Sequence, residues 1–342
     1  MNQKPPVLFV AELSANHNHS LDRALEIVSQ MSKAGASAIK LQTYTPDTMT
    51  LPTDAPGFVV PDTNELWGGR RLFDLYAEAM TPWEWHKPLF DRSRELGMIP
   101  FSSPFDRSAV DFLEDLDCQI YKIASFELVD LELISYAAST GKPLIISTGM
   151  GTIQEIADAV DSARDAGCQD LTLLKTTSSY PASPEHSNLL TMVELEKIFD
   201  VKVGISDHTM GIGASVAAVT LGASVVEKHV TLKRSDGGVD SEFSMEPEEF
   251  GSLVQEANVA RQALGVVRFG PSSGDQASLG FRRSLYVCKD VKMGEKVTRE
   301  NVRAVRPGFG MQIKMFESVI GISFSEDVAV GTPLTFELLK HR

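Results

Sequence analysis

The sequence predicts an α/β protein, a (β/α)8 TIM barrel followed by a small C-terminal domain. Three observations support this. Eight short, nearly continuous apolar runs recur between residues 7 and 232, the form taken by parallel strands covered on the outside. Amphipathic runs with helical spacing separate them. The eight units fill about 250 residues, the usual size of such a barrel. The competing open, doubly wound sheet needs a GxGxxG-type turn after its first strand, and "AELSANHNHS" (11–20) has none.

The elements follow in order. The first strand is expected in "VLFVAEL" (7–13), and "SLDRALEIVSQMSKAGA" has apolar residues at 21, 24, 25, 28 and 31, a helical face. The second strand is "AIKLQTY" (38–44). An insertion over 45–81 then precedes its helix, at the barrel end where loops carry specificity. Strands three to five are "MIPFSSPF" (98–105), "QIYKIASFE" (119–127) and "PLIISTGM" (143–150). "TIQEIADAVDSARDAG" opens on an N-cap, Thr152, and stops at Gly167. Strands six to eight are "LTLLKTTSSYP" (171–181), "KVGISDHT" (202–209) and "SVVEKHVTL" (224–232), and "EPEEFGSLVQEANVARQALG" is a last helix. The barrel domain is therefore placed at 1–267, a linker at 268–282 in the Gly/Ser-rich "RFGPSSGDQASLGFRR", and a second domain at 283–342. About sixty residues make a marginal core alone, one that gains by docking on another surface.

Composition narrows the function. A formal charge of −14 argues against general binding of nucleic acid or anionic membranes. Cys118, Cys168 and Cys288 are odd in number and widely spaced, so neither a disulfide framework nor a zinc ribbon is indicated. "MNQKPPVLFVAEL" is too short in its apolar run for a leader or a membrane span, and a reducing cytoplasm is the expected location.

Catalytic groups of such a barrel sit at the C-terminal ends of its strands. In order these ends present Glu12, Ser14 and Asn16; Lys40 and Gln42; Ser102 and Ser103; Lys122, Ser125 and Glu127; Ser147 and Thr148; Lys175, Thr177, Ser178 and Tyr180; Ser206, Asp207 and His208; Glu227 and His229. Residues two apart share a face. A single strand-end serine is commonly a helix cap, but charged groups at nearly every strand end exceed what a structural barrel needs. Lysines among hydroxyls suit an oxyanion. Two histidines at matched depth on neighbouring strands suit a divalent metal with open positions; the plain alternative is a pair of hydrogen-bonded buried imidazoles. His17 and His19, in a loop, are weaker candidates. A Schiff-base aldolase using Lys122 or Lys175 and a noncatalytic carbohydrate-binding protein are the rival readings.

The chain resembles the sialic acid synthase family. The resemblance rests on "AELSANHN", "IKLQTYTPDTMT", "FSSPFD", "YKIAS" with Glu127, "ISTGM", "SSYP", "GISDHT", "VEKHVTL" and the C-terminal "VRPGFGM". The last looks like the antifreeze-protein-like (SAF) domain that follows the barrel in this family. The resemblance implies condensation of phosphoenolpyruvate with an N-acetylated amino sugar and release of phosphate. It implies metal ligands at His208 and His229, for Mn2+, Mg2+ or Co2+, and a catalytic carboxylate at Glu12. Phosphoenolpyruvate contacts fall on Lys40, Ser103, Lys122, Ser125, Ser147, Ser178 and Ser206, and sugar contacts on Gln42, Glu127 and Asp240, with Tyr180 in the same binding set. Ser178 stands where many family members carry Asn, which puts that contact in question. Arg306 matches an arginine that crosses from a partner subunit, implying a domain-swapped homodimer. Within the family, "AELSANHN" with "LWGGRRLFDLYAEAMTPWEWHKPLF" resembles the branch whose sugar is 2,4-diacetamido-2,4,6-trideoxy-altropyranose. The branches making N-acetylneuraminate and legionaminate are the alternatives.

Overall fold

The computed structural model describes residues 6–63 and 66–340. Residues 1–5, part of the stretch read for a leader, lie outside the described residues. The chain forms two compact units, Met1–Gly265 and Val266–Arg342.

In the first unit, eight strands close into a parallel barrel. They are β1 (Leu8–Glu12), β2 (Ala38–Thr43), β3 (Ile99–Pro104), β4 (Tyr121–Ile123), β5 (Leu144–Ser147), β6 (Leu171–Thr176), β7 (Lys202–Ser206) and β8 (Val225–His229). Each pairs with the next, and β8 returns to β1 with Glu12 opposite His229. Helices after the strands cover the barrel: Leu21–Lys33, Trp83–Glu95, Arg107–Asp115, Leu131–Ser139, Ile153–Asp165, Leu190–Phe199, Gly213–Thr220 and Pro247–Leu264.

The sequence marks several helix starts. The Ser20 hydroxyl accepts from Arg23 N, the Asp106 carboxylate from Ser108 and Ala109 N, and Thr152 forms a capping box with Glu155, each satisfying donors the first turn leaves free. The first helix buries Ala24, Ile27, Val28 and Met31, while Ile39, Leu41, Phe101, Tyr121 and Ile146 are among the strand residues in the same core. On the inner face, Gly204 lets β6 and β8 close in. A Cβ there would lie 2.3 Å from Val225 O and 2.8 Å from Leu174 Cδ2.

Every strand ends before its apolar run does, by one residue at β1 to β3 and by three to five at β4 to β8. At β4, the Gly149 N–H donates to the Ser125 hydroxyl at 3.2 Å rather than to a strand carbonyl, and Ser125–Glu127 is a 3₁₀ turn. At β7, Asp207 Oδ1 accepts from Thr209 N at 2.9 Å. This local turn competes with the ladder. At β6, the strand stops at Thr176, and Thr177–Tyr180 form a loop. Residues 45–81 do form an insertion between β2 and its helix, with short helices Pro46–Met49 and Leu72–Ala79 and a bridge between Val59 and Arg71.

The second unit packs Leu285, Val287, Val302, Phe324 and Leu334 around a two-stranded antiparallel sheet, β9 (Ser284–Val287) and β10 (Val302–Val305). The stretch read as a linker is not featureless: Ser273–Asp275 is a 3₁₀ turn and Gln276–Leu279 a short helix. Serine and aspartate side chains there capture backbone N–H groups, as Ser272 N does with Asp275 Oδ2 at 2.7 Å.

Candidate active site

At the C-terminal end of the barrel, four buried charges form one cluster. Lys40 Nζ lies 2.5 Å from Glu12 Oε2 and 3.5 Å from Glu227 Oε1, and Lys122 Nζ lies 3.7 Å from the same Glu227 oxygen. Ser206 donates to Glu227 Oε1 at 3.1 Å, and Lys40 to the Ser103 hydroxyl at 3.3 Å. Burial alone discharges such groups. It lowers Lys122 to about 8, with Glu227 as the main counterweight. At Lys40 burial also pulls down, but Glu12 and Glu227 outweigh it and the pKa ends above its ordinary value. Glu227 was visible as a strand-end carboxylate but had no assigned role; it is the hub. Its spacing of two from His229 placed it on the inner face, but not its cross-barrel partners.

Beside this cluster lies a cradle of small polar groups. The Ser125 hydroxyl meets the Gly149 N–H, and a Cβ on Gly149 would lie 2.3 Å from Ser178 Oγ and 2.6 Å from Ser125 Oγ. Ser178 Oγ is buried without a hydrogen-bond partner. Thr176 Oγ1 donates to the Ser147 hydroxyl at 3.1 Å, with Ser147 buried. Two serine hydroxyls meeting where no side chain intrudes, one of them fixed by the Gly149 N–H, suit an oxyanion. Gly149 carries no functional group, so the sequence holds no signal for its part in the cradle.

The remaining strand-end residues gather on the other side of Glu12. Gln42 Nε2 donates to Glu12 Oε1 at 3.2 Å and to Ser14 Oγ at 3.1 Å, and the Ser14 hydroxyl donates to Asp240 Oδ2. Burial raises Asp240, against the hydrogen bond from Ser14. Burial also raises Glu12, only partly offset by Lys40. Glu127 is pushed up to about 7 by burial, and its Oε2 has no partner.

His208 and His229 stand with ring centroids 5.4 Å apart, and the Tyr180 ring lies 4.3 Å from that of His208. His208 Nδ1 donates to Thr177 O at 2.8 Å, which leaves Nε2 with its lone pair. His229 Nδ1 is buried without a hydrogen-bond partner, 3.9 Å from Asp240 Oδ2. Burial lowers His208 to about 4 and His229 well below its ordinary value. Both rings are therefore neutral near pH 7, the form that binds a metal. No cluster of three or more His, Cys, Asp or Glu suited to a metal occurs among the described residues. The donor set fits a cation held by two imidazoles, with other positions left for water and substrate.

The insertion supplies one wall. Trp67 Nε1 donates to Val239 O at 3.1 Å, and its ring lies 6.2 Å from that of Tyr180. Trp83, grouped with it by sequence, belongs elsewhere: it packs against Phe112 at 4.6 Å and donates to Tyr44 O. His17, the loop candidate, is buried, and its Nδ1 accepts from His19 N at 3.2 Å. Lys175, the alternative Schiff-base lysine, donates to its neighbour's carbonyl, Thr176 O, at 2.9 Å. Arg306 is an exposed residue of the second unit.

Buried lysines, serine hydroxyls, carboxylates and a neutral histidine pair thus meet at one end of the barrel, a chemistry suited to an anionic substrate. The chain belongs to the NeuB family, whose model matches residues 27–268, and it carries a SAF domain over 282–340. It is 44% identical over 334 residues to the pseudaminic acid synthase of Helicobacter pylori, covering 97% of each chain. It is 34% identical to the N,N'-diacetyllegionaminic acid synthase of Legionella pneumophila, covering 96% of this chain and 93% of that one. Its fold matches the crystal structure of N-acetylneuraminic acid synthetase from Leptospira borgpetersenii in complex with citrate. That match has a TM-score of 0.71 and 29% identity, covering 80% of this chain and 90% of that one.

Proposed function

We propose that this chain is a pseudaminic acid synthase. It joins phosphoenolpyruvate to 2,4-diacetamido-2,4,6-trideoxy-altropyranose, with water consumed and phosphate released. The observation that supports this best is the anion cradle lying beside the neutral histidine pair in one barrel mouth. Identity of 44% to a pseudaminic acid synthase, against 34% to a legionaminic acid synthase, favours this sugar over the legionaminate alternative.

Lys40, Lys122, Ser103, Ser125, Ser147, Ser178 and Ser206 hold the phosphate and carboxylate of phosphoenolpyruvate. Gln42, Glu127, Tyr180 and Asp240 hold the open-chain sugar. A divalent cation, Mn2+, Mg2+ or Co2+, held by His208 and His229 would polarise the aldehyde oxygen. The C3 carbon of phosphoenolpyruvate forms the new C–C bond to the aldehyde carbon, and positive charge develops at C2. Water adds at C2, losing a proton toward Glu12, whose raised pKa suits it to carry one. The new alkoxide takes up a proton. The tetrahedral C2 then expels phosphate by C–O cleavage, its hydroxyl proton passes to the departing phosphate, and C2 becomes the keto group. Lys40 and Lys122 follow the negative charge as it moves to the departing phosphate.

The enzyme is proposed to act in the cytoplasm as a homodimer. No helix among the described residues is long and apolar enough to cross a membrane. The test is a panel of candidate sugars with phosphoenolpyruvate, scored by product mass and kcat/KM. The trideoxy diacetamido sugar is expected to lead, since a methyl-sized difference against an apolar wall is worth about 1–3 kcal/mol. A higher kcat/KM for N-acetylmannosamine would overturn the assignment.

A further inference from the structure

Three residue pairs follow one another where the two histidine-bearing segments run side by side: the last in-register pair of β7 and β8 and the two beyond it. On the first, Ser206 pairs in register with Glu227 and donates to its carboxylate at 3.1 Å inside the barrel. On the second, Asp207 N donates to Glu227 O at 2.9 Å, and the side chains of Asp207 and Lys228 turn to the opposite face. There Lys228 Nζ lies 3.2 Å from Asp207 Oδ2, with both side chains 1% exposed. On the third, His208 and His229 return to the inside. The residue before one histidine is thus ion-paired with the residue before the other, in a place no substrate group would reach.

This pair does more than neutralise itself. Asp207 also accepts from Thr209 N at 2.9 Å and from the Ser215 hydroxyl at 2.6 Å. Lys228 Nζ donates to Thr209 O and lies 3.4 Å from Gly211 O. One ammonium therefore holds the loop that follows β7 at three points. His208 needs such a hold, because β7 ends at Ser206. Each histidine carbonyl accepts one backbone N–H, His208 from Ala182 at 2.9 Å and His229 from Met245 at 2.8 Å, but only His229 also closes its strand in register, opposite Glu12. Buried ion pairs seldom add net stability, and fixing one geometry is among their attested uses.

We propose that Asp207 and Lys228 are positioning residues that set the spacing of the His208–His229 pair and thereby its affinity for the divalent cation. The proposal rests on the reading that these histidines hold the cation. The experiment uses full-length protein stripped of metal, titrated with Mn2+ while free Mn2+ is read by its electron paramagnetic resonance signal. Phosphoenolpyruvate affinity is measured separately by calorimetry without metal. Asp207→Asn and Lys228→Met are each expected to weaken Mn2+ binding about 10–100-fold, the usual effect of removing a support behind a ligand. Phosphoenolpyruvate affinity should fall far less, by about threefold, since its lysines lie on other strands and Ser206 alone of its contacts adjoins the pair. The double variant Asp207→Asn/Lys228→Met leaves no unpaired buried charge, so it should regain thermal stability but not Mn2+ affinity. That split is what a merely structural pair would not give, and it decides the matter if a single variant fails to fold. A double variant that binds Mn2+ like the wild type overturns this proposal alone. A wild type that binds no Mn2+ overturns the metal reading and this proposal together.

Discussion

Replacing Gly149 by alanine tests the anion cradle directly. The added Cβ would stand 2.3 Å from Ser178 Oγ, 2.6 Å from Ser125 Oγ and 3.0 Å from Ser125 Cβ. Rotating the two hydroxyls away relieves the first two contacts, while the third requires a backbone or Cβ shift. Either way Ser125 and Ser178 turn out of the cradle and the Ser125–Gly149 hydrogen bond is lost. A hydrogen bond to a charged group is worth about 1.5–3 kcal/mol, so two lost bonds cost about 3–6 kcal/mol of anion binding. At about 1.4 kcal/mol per decade, kcat/KM for phosphoenolpyruvate should fall by at least about 100-fold. Overpacking should cost about 1–3 kcal/mol of stability, visible as a modest drop in Tm. The assay is phosphate release at saturating sugar with phosphoenolpyruvate varied, together with the reverse series. The loss should fall on phosphoenolpyruvate, with the KM for sugar little changed. A Gly149→Ala enzyme whose phosphoenolpyruvate KM and kcat stay within about threefold of the wild type, against the 100-fold expected from lost charged hydrogen bonds, would refute the cradle.

Three further outcomes are expected. Chelation should silence the enzyme and Mn2+, Co2+ or Mg2+ restore it, and His229→Ala should abolish activity with Tm nearly unchanged; full turnover in a protein verified metal-free removes the metal role. Burial holds Glu127 at about 7 against an ordinary 4.5, so the folded state keeps a proton that the unfolded chain has lost. Its destabilisation is absent below pH 4.5, grows as pH rises, and is complete above about 7. Glu127→Gln should therefore raise stability by up to about 3 kcal/mol at pH 8 and not at pH 4 while weakening sugar binding, and equal gains at both pH values would contradict it. Mixing His208→Ala with Arg306→Ala subunits should recover part of the activity if the arginine serves a partner's site; no recovery after proven subunit exchange rules that out.

Much of this site was legible because a strand alternates its faces. Once the eight apolar runs were ordered, Lys40 with Gln42 and Glu227 with His229 had to share the inner face. Period alone does not give cross-barrel distances. It could not show that Glu227 meets both Lys40 and Lys122, because those contacts depend on barrel closure. Apolar runs overshoot every strand end, and at β4 and β7 the reason is local. The Ser125 hydroxyl and the Asp207 carboxylate capture backbone N–H groups that an apolar-run reading assigns to the ladder. The same captures put Glu127 and His208 on turns beyond the strands.

The acidic composition and the anionic substrate are reconciled by that cluster. A buried lysine with no counter-charge loses its proton and can no longer attract phosphate. Lys122, 3.7 Å from Glu227 Oε1, already falls to about 8. Lys40, 2.5 Å from Glu12 and 3.5 Å from Glu227, remains an ammonium. The carboxylates therefore keep the empty site charged, at the expense of competing with the incoming anion. Glu12 is the one that can yield, since burial has already raised its pKa. On the proposed mechanism, phosphate taking over Lys40 weakens the attraction that held Glu12 ionised, and the carboxyl moves toward its protonated form. The residue that keeps the lysine charged before binding is then the residue able to take and return a proton during the reaction.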